Sequence, residues 1–461
     1  MLKIAKASLY DPHRLVFQIL TGRTTPPDFF ATLTAPHPDV DMVSYRLCNA
    51  KGHILLSPEA IKDLFIYKSS QFERPVNARR AIEFFHRPNV FSSLGSTWQQ
   101  QRQSIVPHIK KTGITCPQSA IQNSIDEDFA HWGAPQGINL SDELGCMTLR
   151  VFCNTMLSSD LDRSAAKDMA RDMIHFQKNI YFRGMFHAVT TKIKAPTLCQ
   201  KFKRAHDNVT QIMDDIISER SRSWSSRPAD MLTTHMERLD YQSSATVEKH
   251  LQLREEMFVL MFAGHETLKT SLFWAIYHLS RYPEVYKALQ EDAAKGAPTN
   301  TPPDQKPAFT LAQKSLMEAM RLNPPNFAIF RVANQDTDIC GTPIKKGEYA
   351  SIPYSLLHRR PEYWQDPEGF NPEENFSTEN IKARPREIYG PFAHGPRGCP
   401  GKGMALQEGR MILSTLATKF NITEPAEKTE PTYLGLAVTD ESTTIKLAAR
   451  GTDKPQPPAL S

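Results

Sequence analysis

Apolar positions recur at helical spacing through most of the chain before residue 290, and the longest such segment lies near the middle. Residues 58–290 predict mostly helices, separated by turns at prolines such as Pro107 and Pro196. Residues 251–282 predict one long helix, which Pro283 ends. Around 257–263 this helix is apolar on nearly all sides. A helix without a solvent face is expected to pass through the middle of the protein.

Short strands are predicted near both ends of the chain. Residues 41–57 predict two strands joined by a turn at 49–52, and 329–333 and 348–353 predict two more. We therefore expect a fold that is mainly α with small β-sheets, arranged as a single large domain.

Prolines predict where regular structure is interrupted. Pro26 and Pro27 are expected to break any helix, so residues 1–36 are predicted to be irregular, and so are residues 361–390. These patterns predict an N-terminal segment over 1–40, the main domain over 41–450 and a disordered tail over 451–461.

Composition excludes several classes of protein. The chain has 461 residues, with 55 basic against 50 acidic side chains, and a net charge of +5 is too small to indicate nucleic-acid binding. Its seven cysteines are irregularly spaced, which favours reduced thiols in a protein that faces the cytosol. No apolar run approaches the roughly 20 residues of a membrane span, and no signal peptide is predicted. Residues 15–20, with basic residues around them, are either a peripheral membrane contact or an ordinary surface segment.

One cysteine stands in a glycine-rich loop just before an apolar, helix-compatible run. The loop is Phe-Ala-His-Gly-Pro-Arg-Gly-Cys-Pro-Gly over residues 392–401, with Cys399 at its eighth position. A helix N-terminus and the nearby Arg397 would lower the pKa of a thiol placed there. The glycines would let the backbone approach a flat ligand closely. These features suit a cysteine that binds haem iron through sulfur.

The spacing Phe-x-x-Gly-x-Arg-x-Cys-x-Gly fixes five of ten positions and resembles the haem-binding signature of the cytochrome P450 family. Ala405 and Glu408 fit its usual continuation. The resemblance implies that Cys399 is the axial ligand of a haem iron, with Phe392 and Arg397 beside the cofactor. Other motifs of the family follow in its usual order, from about residue 41 to about 447.

The sequence Ala-Gly-His-Glu-Thr over 263–267 lies in the middle of the long predicted helix. A glycine costs about 1 kcal/mol relative to alanine in a helix, so Gly264 needs a reason, which is either close helix packing or space for dioxygen above the haem. In the family this motif borders the haem at Ala263 and Gly264. Glu266 and Thr267 would then deliver protons during cleavage of the O–O bond. Leu268 departs from the family, in which a second Thr or Ser is common.

Basic residues elsewhere match the family's partners for the anionic haem propionates. Trp98 and Arg102 lie four residues apart, on one face of a predicted helix, and Arg331 and Arg397 complete the expected set. Taken alone, Trp98 and Arg102 would also fit an ordinary amphipathic surface helix.

Glu318 and Arg321 match the Glu-x-x-Arg pair that forms a structural salt bridge in the family. An arginine usually follows the proline-rich segment and completes this network, but this chain has Glu374 and Asn375 there. Arg384 or Arg386 is a candidate substitute.

The resemblance implies a haem-thiolate monooxygenase that inserts one oxygen atom of O₂ into a lipophilic small molecule by hydroxylation or epoxidation, as in natural-product biosynthesis. Electrons would come from NADPH through a flavoprotein reductase docking near Lys402 and Arg410. Candidate pocket residues are Phe91, Phe258, Ala263, Phe327, Ile329 and Leu436, with Tyr181, Phe182 and Phe186 near a lid. Each would equally fit the plain core.

Two other activities remain open. One is an isomerase, dehydratase or peroxygenase of the same fold, against which the pair Glu266–Thr267 argues. The other is a haem-based binding or sensing protein. The proline-rich segment and the long interval between Thr267 and Glu318 resemble the microsomal class, so we expect association with the endoplasmic reticulum. The N-terminal membrane helix of most eukaryotic members is not expected in this chain.

Overall fold

A computed structural model describes most of the chain. The described residues are 2–6, 24–47, 50–76, 89–115, 118–133, 137–190, 196–296, 309–434, 436–439 and 441–451. The predicted tail over 451–461 therefore lies almost wholly outside them.

Helices dominate the described part of the chain, as predicted. In chain order they are α1 (Pro26–Thr34), α2 (Pro58–Lys62), α3 (Gly95–Thr115), α4 (Gln118–Phe129), α5 (Leu140–Met156), α6 (Arg163–Thr190), α7 (Pro196–Arg222), α8 (Met231–Arg238), α9 (Val247–Arg281), α10 (Pro283–Ala294), α11 (Leu311–Leu322), α12 (Tyr354–Leu357), α13 (Pro372–Asn375), α14 (Thr378–Ala383) and α15 (Lys402–Lys419). Short single turns of tighter or wider helix occupy Asp63–Tyr67, Ser69–Gln71, Trp224–Ser226 and Arg386–Ile388.

The long central helix is α9, which begins four residues earlier than predicted. Thr246 caps it by accepting a hydrogen bond from the N–H of Lys249, and Pro283 follows its last turn. Its residues Leu253–Met261 belong to one apolar cluster, with α5 to α8, whereas Leu268–Leu279 belong to a second cluster, with α11 and α15. The segment 263–267 therefore lies where the two cores meet.

The strands form small sheets at the edges of the helical body. In chain order they are β1 (Ile4–Lys6), β2 (Met42–Leu47), β3 (Ala50–Leu55), β4 (Phe72–Glu73), β5 (Ile138–Asn139), β6 (Ile329–Ala333), β7 (Thr337–Ile339), β8 (Thr342–Ile344), β9 (Tyr349–Ile352), β10 (Phe420–Glu424), β11 (Thr432–Leu434), β12 (Leu436–Val438) and β13 (Thr444–Ala449). The largest sheet has the order β1-β2-β3-β9-β6-β4, and the predicted hairpin is β2–β3, with Ser44 opposite His53. The predicted strands over 329–333 and 348–353 are β6 and β9, which pair antiparallel.

The expectation of irregular structure over residues 1–36 was wrong for the part of this segment that the structure describes. Strand β1 pairs with β2, and Pro26 and Pro27 stand in the first turn of α1 instead of breaking it. At that position the missing N–H of a proline has no partner to lose, and its fixed φ suits a helix start. Thr25 and Asp28 complete the start as a capping box.

Two further expectations about regular structure need correction. Pro107 lies inside α3, so the turn predicted there is absent, and the helix continues despite the lost hydrogen bond. Residues 361–390 are not wholly irregular, because α13 and α14 start at Pro372 and Thr378. Within the nominally helical stretch 58–290, the two-residue strands β4 and β5 were not predicted.

Candidate functional site

The cysteine loop is a tight, hydrogen-bonded turn that precedes α15. The N–H of Cys399 donates to the carbonyl of Phe392 at 2.8 Å, and the N–H of Gly398 donates to the carbonyl of Gly395 at 2.9 Å. The first bond joins the two ends of the loop, and the second closes a tight turn within it. Helix α15 starts at Lys402, three residues after Cys399.

Gly395 is required by this geometry. Its φ is +72°, a conformation that L residues rarely adopt, and a Cβ there would lie 2.1 Å from the carbonyl oxygen of Phe65. The loop is thus pressed against the wide helical turn Asp63–Tyr67. The glycine here serves a close contact with protein backbone, whereas the approach to a flat ligand stays a prediction.

The pKa of the Cys399 thiol was expected to be low, and without iron it is raised. The side chain is open to solvent on one side but enclosed by protein on the others, and this desolvation raises the pKa most. The N–H groups of Gly401 and Lys402 and the charge of Arg102 lower it by less. A metal ion that binds a thiol deprotonates it outright, so this raised pKa is compatible with a thiolate ligand.

Arg102 and Arg397 meet at the cysteine loop, and Trp98 lies between them. The Nη2 of Arg102 donates to the carbonyl of Gly398 at 2.6 Å, and the guanidinium of Arg397 lies 4.1 Å from the ring centre of Trp98. Arg397 also donates to the carbonyl of Ser93 at 3.4 Å. The structure therefore brings together three of the four predicted propionate partners.

Arg331, on β6, is the fourth, and the structure adds Arg74, which the sequence analysis missed. Arg331 is buried and Arg74 is half-buried, and desolvation lowers the pKa of Arg74 to about 9 and that of Arg331 to about 10. The charges that act most on Arg74 are those of Arg331, Arg397 and Arg102, all of the same sign. Arg74 follows β4, and no motif in the sequence marks it.

This cluster fits the anionic part of a haem. Mutual repulsion among these closely placed guanidinium groups is relieved by an anion, and carboxylates are their natural partners. The thiol of Cys399 lies within electrostatic reach of Arg102. Within the described ranges, no group of three or more His, Cys, Asp or Glu side chains is placed to hold a metal ion. Cys399 would supply the single thiolate that haem-thiolate proteins use to hold the iron.

The central helix places Thr267 and Glu266 on different sides. The hydroxyl of Thr267, which is half-buried, donates to the carbonyl of Ala263 at 2.9 Å. Gly264 is exposed, although the neighbouring Glu266 is buried, and a Cβ at Gly264 would lie 3.2 Å from the ring of Phe152. Close packing against α5 therefore contributes to the need for glycine. Leu268 is buried in the second apolar cluster.

Glu266 forms a buried ion pair that the sequence analysis did not foresee. Its Oε1 accepts a hydrogen bond from Nζ of Lys269 at 3.2 Å, one helical turn further along. Its Oε2 lies 3.5 Å from Nε2 of His265. Among the hydrogen bonds of the described residues, none joins Glu266 to Thr267. The spacing i,i+3 is a visible signal for such a pair, but sequence alone does not show that it is buried.

Glu318 and Arg321 form the expected salt bridge, and neither is exposed. Arg321 donates to both carboxylate oxygens of Glu318, at 2.7 and 2.8 Å. Its remaining N–H groups donate to the carbonyls of His358, Pro367 and Gly369. This pair ties α11 to the proline-rich segment, as predicted.

The position of the missing arginine is filled by Asn375. Its Nδ2 donates to Oε1 of Glu318 at 2.9 Å, and the N–H of Asn371 donates to the same oxygen at 2.9 Å. Arg384 donates to the carbonyl of Asn375 and lies 3.6 Å from the ring centre of Trp364. Arg384 therefore supports Glu318 through Asn375 instead of by a direct bond. Arg386 lies in the short turn before the cysteine loop and joins no recorded hydrogen bond to Glu318 among the described residues.

The predicted pocket residues differ in burial and in the residues they contact. Phe258 is buried and packs against Phe176, with ring centres 5.1 Å apart, and Phe327 packs against Tyr433 at 5.4 Å. Phe91 is half-buried under Arg74. The side chains of Leu436, Tyr181, Phe182 and Phe186 lie outside the described residues. Ile329 is half-buried on β6.

Comparison with known families identifies the class. The family model for cytochrome P450 matches residues 12–447, so the chain belongs to that family. Its members are haem-thiolate monooxygenases that act with O₂, a lipophilic substrate and a redox partner, and haem is the cofactor. When bound, haem supplies the site of dioxygen activation. Cys399 and the arginine cluster are the residues that would hold it.

The sequence identity to individual relatives is low. The chain is 24% identical over 399 residues to a cyclooctat-9-en-7-ol 5-monooxygenase of Streptomyces melanosporofaciens, which covers 86% of this chain and 85% of the relative. It is 27% identical over 311 residues to cytochrome P450 3A16 of Mus musculus, covering 64% and 60%. It is 32% identical over 223 residues to cytochrome P450 3A7 of Homo sapiens, covering 46% and 44%. The chain thus spans less than two thirds of these mammalian relatives. In the described part of the chain, no helix is long and apolar enough to cross a membrane.

Proposed function

We propose that this protein inserts one oxygen atom of O₂ into an apolar natural product, by hydroxylation or epoxidation. The observation that carries the proposal is the pairing of a cysteine loop beside four arginines with Glu266 and Thr267 on the central helix. The first arrangement suits the cofactor. The second supplies an acid and an alcohol for proton delivery, which an isomerase or a sensing protein does not need.

A cyclic terpenoid is the substrate class that we favour. The relative whose aligned region covers 85% of its length is named for oxidation of a cyclooctatenol. Around the first half of the central helix, four aromatic rings follow one another in contact, in the order Phe202, Phe176, Phe258 and Phe262. Aromatic and apolar linings suit a rigid hydrocarbon skeleton, with few polar groups to orient it.

In this proposal the four arginines and Trp98 orient the cofactor, Cys399 holds its iron, and the central helix supplies protons. Thr267 is half-buried at the boundary of the two cores, and it supplies the hydroxyl. Glu266 carries the ionisable group. The apolar clusters on both sides of 263–267 keep bulk water from supplying protons indiscriminately.

Electrons are proposed to come from NADPH through a flavoprotein reductase that docks beside the cysteine loop. Lys402 is exposed next to Phe392, and Arg410 lies two turns along α15. The exposed Lys402 and the half-buried Arg410 would attract an acidic partner surface, and raising the salt concentration should slow reduction. Reduction that is independent of salt would count against this docking surface.

We also propose that the protein works at the surface of the endoplasmic reticulum. The support is the basic, apolar segment around residues 15–20 and the similarity to the mammalian relatives. Co-sedimentation with vesicles containing anionic lipid tests this. Full recovery in the supernatant would contradict it.

The test of the reaction class is stoichiometry. With a reductase, NADPH, O₂ and a panel of cyclic terpenoids, one product oxygen should derive from ¹⁸O₂ for each NADPH that is not lost to peroxide. An isomerase or dehydratase would form product without consuming NADPH. A sensing protein would show substrate-dependent changes in the haem spectrum and no product.

A further inference from the structure

A small cavity lies between α3, α8 and α9, beside the loop that leads into α3. Val90, Ile105 and Val259 contribute apolar parts of its wall, and Asn89 and His235 contribute buried polar parts. The cavity has room for about one water-sized group. It is therefore too small for a whole substrate but large enough for one polar substituent.

The cavity borders the candidate cofactor site. Ile105 lies three residues after Arg102 on α3, and Leu260 lies three residues before Ala263 on α9. One turn of an α-helix advances about 5.4 Å, so each of these wall residues lies within a turn of a predicted cofactor contact. A substituent held in the cavity can thus belong to a molecule whose body reaches the cofactor.

Asn89 presents a hydrogen-bond donor to the cavity. The side chain is 2% exposed, and its Oδ1 accepts from the N–H of Phe91 at 3.0 Å and from that of Ser92 at 3.2 Å. These two N–H groups identify which atom of the amide is the oxygen. The Nδ2 atom is buried and has no recorded hydrogen bond in the described part of the chain.

His235 presents an acceptor. The side chain is 1% exposed, and its Nδ1 lies 2.9 Å from the carbonyl of Met231, so Nδ1 carries a hydrogen and donates it. Burial lowers the pKa of the imidazole, so the ring is neutral and Nε2 carries a lone pair. Among the described residues, Nε2 joins no recorded hydrogen bond, and Oε2 of Glu256 lies 3.8 Å away.

The other polar groups near the cavity already have partners. Oε2 of Glu256 accepts a hydrogen bond from Arg238, and Oε1 accepts one from Gln252 at 3.1 Å. The hydroxyl of Ser104 donates to the carbonyl of Gln101 at 2.8 Å. The cavity therefore offers one donor, on Asn89, and one acceptor, on His235.

One donor and one acceptor in an otherwise apolar wall fit an alcohol. The oxygen of an alcohol accepts one hydrogen bond, donates one and is bonded to carbon on its remaining side. A buried water typically makes about three hydrogen bonds. Val90, Ile105 and Val259 offer a water nothing further to bond, whereas they suit the carbon atoms of an alcohol.

We propose that Asn89 and His235 form a subsite for a hydroxyl group of the substrate. The inference rests on the proposed function and narrows its substrate class to cyclic terpenoids that already carry a hydroxyl group. The hydroxyl accepts a hydrogen bond from Nδ2 of Asn89 and donates one to Nε2 of His235. This contact fixes the ring against α3 and α9 and so selects the carbon that faces the cofactor. A hydrocarbon of the same shape leaves both polar atoms without this bond.

Calorimetric titration of the holoenzyme with ring alcohols and their hydrocarbons tests the subsite without catalysis. The probes are cyclooctanol with cyclooctane and cyclododecanol with cyclododecane. The wild type should bind the alcohol of at least one pair about tenfold more tightly than the hydrocarbon. In His235→Phe, which removes the acceptor, this advantage should fall about fivefold or more, while the hydrocarbon binds nearly as before.

Two results would overturn the proposal. One is an alcohol advantage that is the same in the wild type and in His235→Phe, because the cavity would then hold only water. The other is that neither alcohol binds to the wild type.

A second variant tests the cavity without removing a polar group. Val259→Ile adds one carbon to the apolar wall, so it should also lower the advantage of the alcohol. If His235→Phe does not fold, Val259→Ile decides. His235→Gln, which supplies an acceptor oxygen, should recover part of the advantage. His131→Phe, at an exposed histidine just after α4, is the matched control and should leave the advantage unchanged.

The stoichiometry of oxygen insertion separates this inference from the proposed function. If cyclic terpenoids gain one oxygen from ¹⁸O₂ but His235→Phe keeps the full alcohol advantage, the inference fails and the proposed function stands. If the advantage falls as expected but no oxygen is inserted, the proposed function fails and the hydroxyl subsite stands.

Discussion

Two buried acid–base pairs with the same i,i+3 spacing occur in this molecule, and their surroundings differ sharply. Glu318 and Arg321 on α11 are joined by two hydrogen bonds, and further donors and carbonyl acceptors surround both side chains. Glu266 and Lys269 on α9 share one hydrogen bond of 3.2 Å, and Oε2 of Glu266 has no recorded partner among the described residues. Burial is nearly the same in the two pairs, so burial does not distinguish them.

The difference lies in how completely each charge is satisfied. A pair in which both partners have several hydrogen bonds cannot move without losing all of them, which suits a fixed brace between α11 and the proline-rich segment. A pair with one hydrogen bond can open at a smaller cost, so it is a weaker brace than the first pair. The comparison predicts that changes at Glu318 and Arg321 lower the stability of the fold. Changes around Glu266 are expected to lower the amount of product formed per NADPH.

The largest effect is expected at the brace. Arg321→Ala leaves Glu318 buried without its cation and frees three carbonyl oxygens, a loss of about 3–5 kcal/mol or more, so little folded protein should be recovered. The measurement is the yield of soluble protein and its unfolding in denaturant. Arg359→Ala, which breaks a surface pair with Glu368, is the control and should cost less than about 1 kcal/mol. A stable Arg321→Ala protein would show that the brace is dispensable.

A smaller effect is expected where Asn375 replaces the usual arginine. Asn375→Leu removes a donor to the buried Glu318 and should cost about 1–3 kcal/mol of unfolding free energy. Asn375→Asp should cost more, because it places a second carboxylate beside the first. The test is to measure the unfolding free energies of the two variants by chemical denaturation and to see which is lower. If the aspartate variant were the more stable, Glu318 would not depend on this donor.

Thr267→Ala should separate function from stability. We expect product formed per NADPH to fall about tenfold, with peroxide released instead, since proton delivery loses its alcohol. The unfolding midpoint should stay close to the wild type, because the Thr267 hydroxyl bonds only within its own helix, to Ala263. Thr267→Ser is the matched control and should keep most of the coupling. Normal coupling in the alanine variant would remove Thr267 from the proposed relay.

The smallest effect concerns pH. His265 has a folded pKa well below its unfolded value of about 6.5, so unfolding takes up a proton at lower pH. Its contribution is fully present above pH 6.5 and is lost as the pH falls, by up to about 1.4 kcal/mol per pH unit. His358, beside Arg321, behaves in the same way.

The variant His265→Asn removes the proton uptake of His265 on unfolding and leaves that of His358. The unfolding free energy of the variant, measured from pH 7 to pH 5, should decline less steeply than that of the wild type. An unchanged slope would mean that His265 is charged in the folded protein. Glu266 would then have two cationic partners, and the contrast between the two pairs would weaken.

The sequence predicted the parts of the structure that depend on local pattern. The central helix, the β2–β3 hairpin and the strand β6 follow from apolar spacing and turn residues, and the cysteine loop follows from a rare combination of residue types. The prediction at Pro26 was wrong because a proline suits the first turn of a helix, and the pattern did not show that a helix starts there. The prediction at Pro107 was wrong because the helix continues there although an interior proline removes one of its hydrogen bonds.

What could not be predicted depends on long-range contacts. The fold brings Arg74 close to arginines that are distant in sequence, and no neighbouring residue in the chain marks that role. The raised pKa of Cys399 reflects enclosure by several segments, which outweighs the nearby helix N-terminus. The burial of Lys269 likewise depends on α5, with Gly145 more than a hundred residues away in sequence. The roles of these residues become evident only from the contacts that the folded chain makes.

The identity of the iron ligand decides the account most directly. The ferrous-carbonyl absorption spectrum of the purified protein should show the red-shifted Soret band of thiolate ligation, and Cys399→Ser should abolish that band. The matched control is Cys340→Ser, at a cysteine of the β7–β8 turn, which should leave the spectrum unchanged. A histidine-type Soret band in the wild type, or a thiolate-type band that survives Cys399→Ser, would contradict the account.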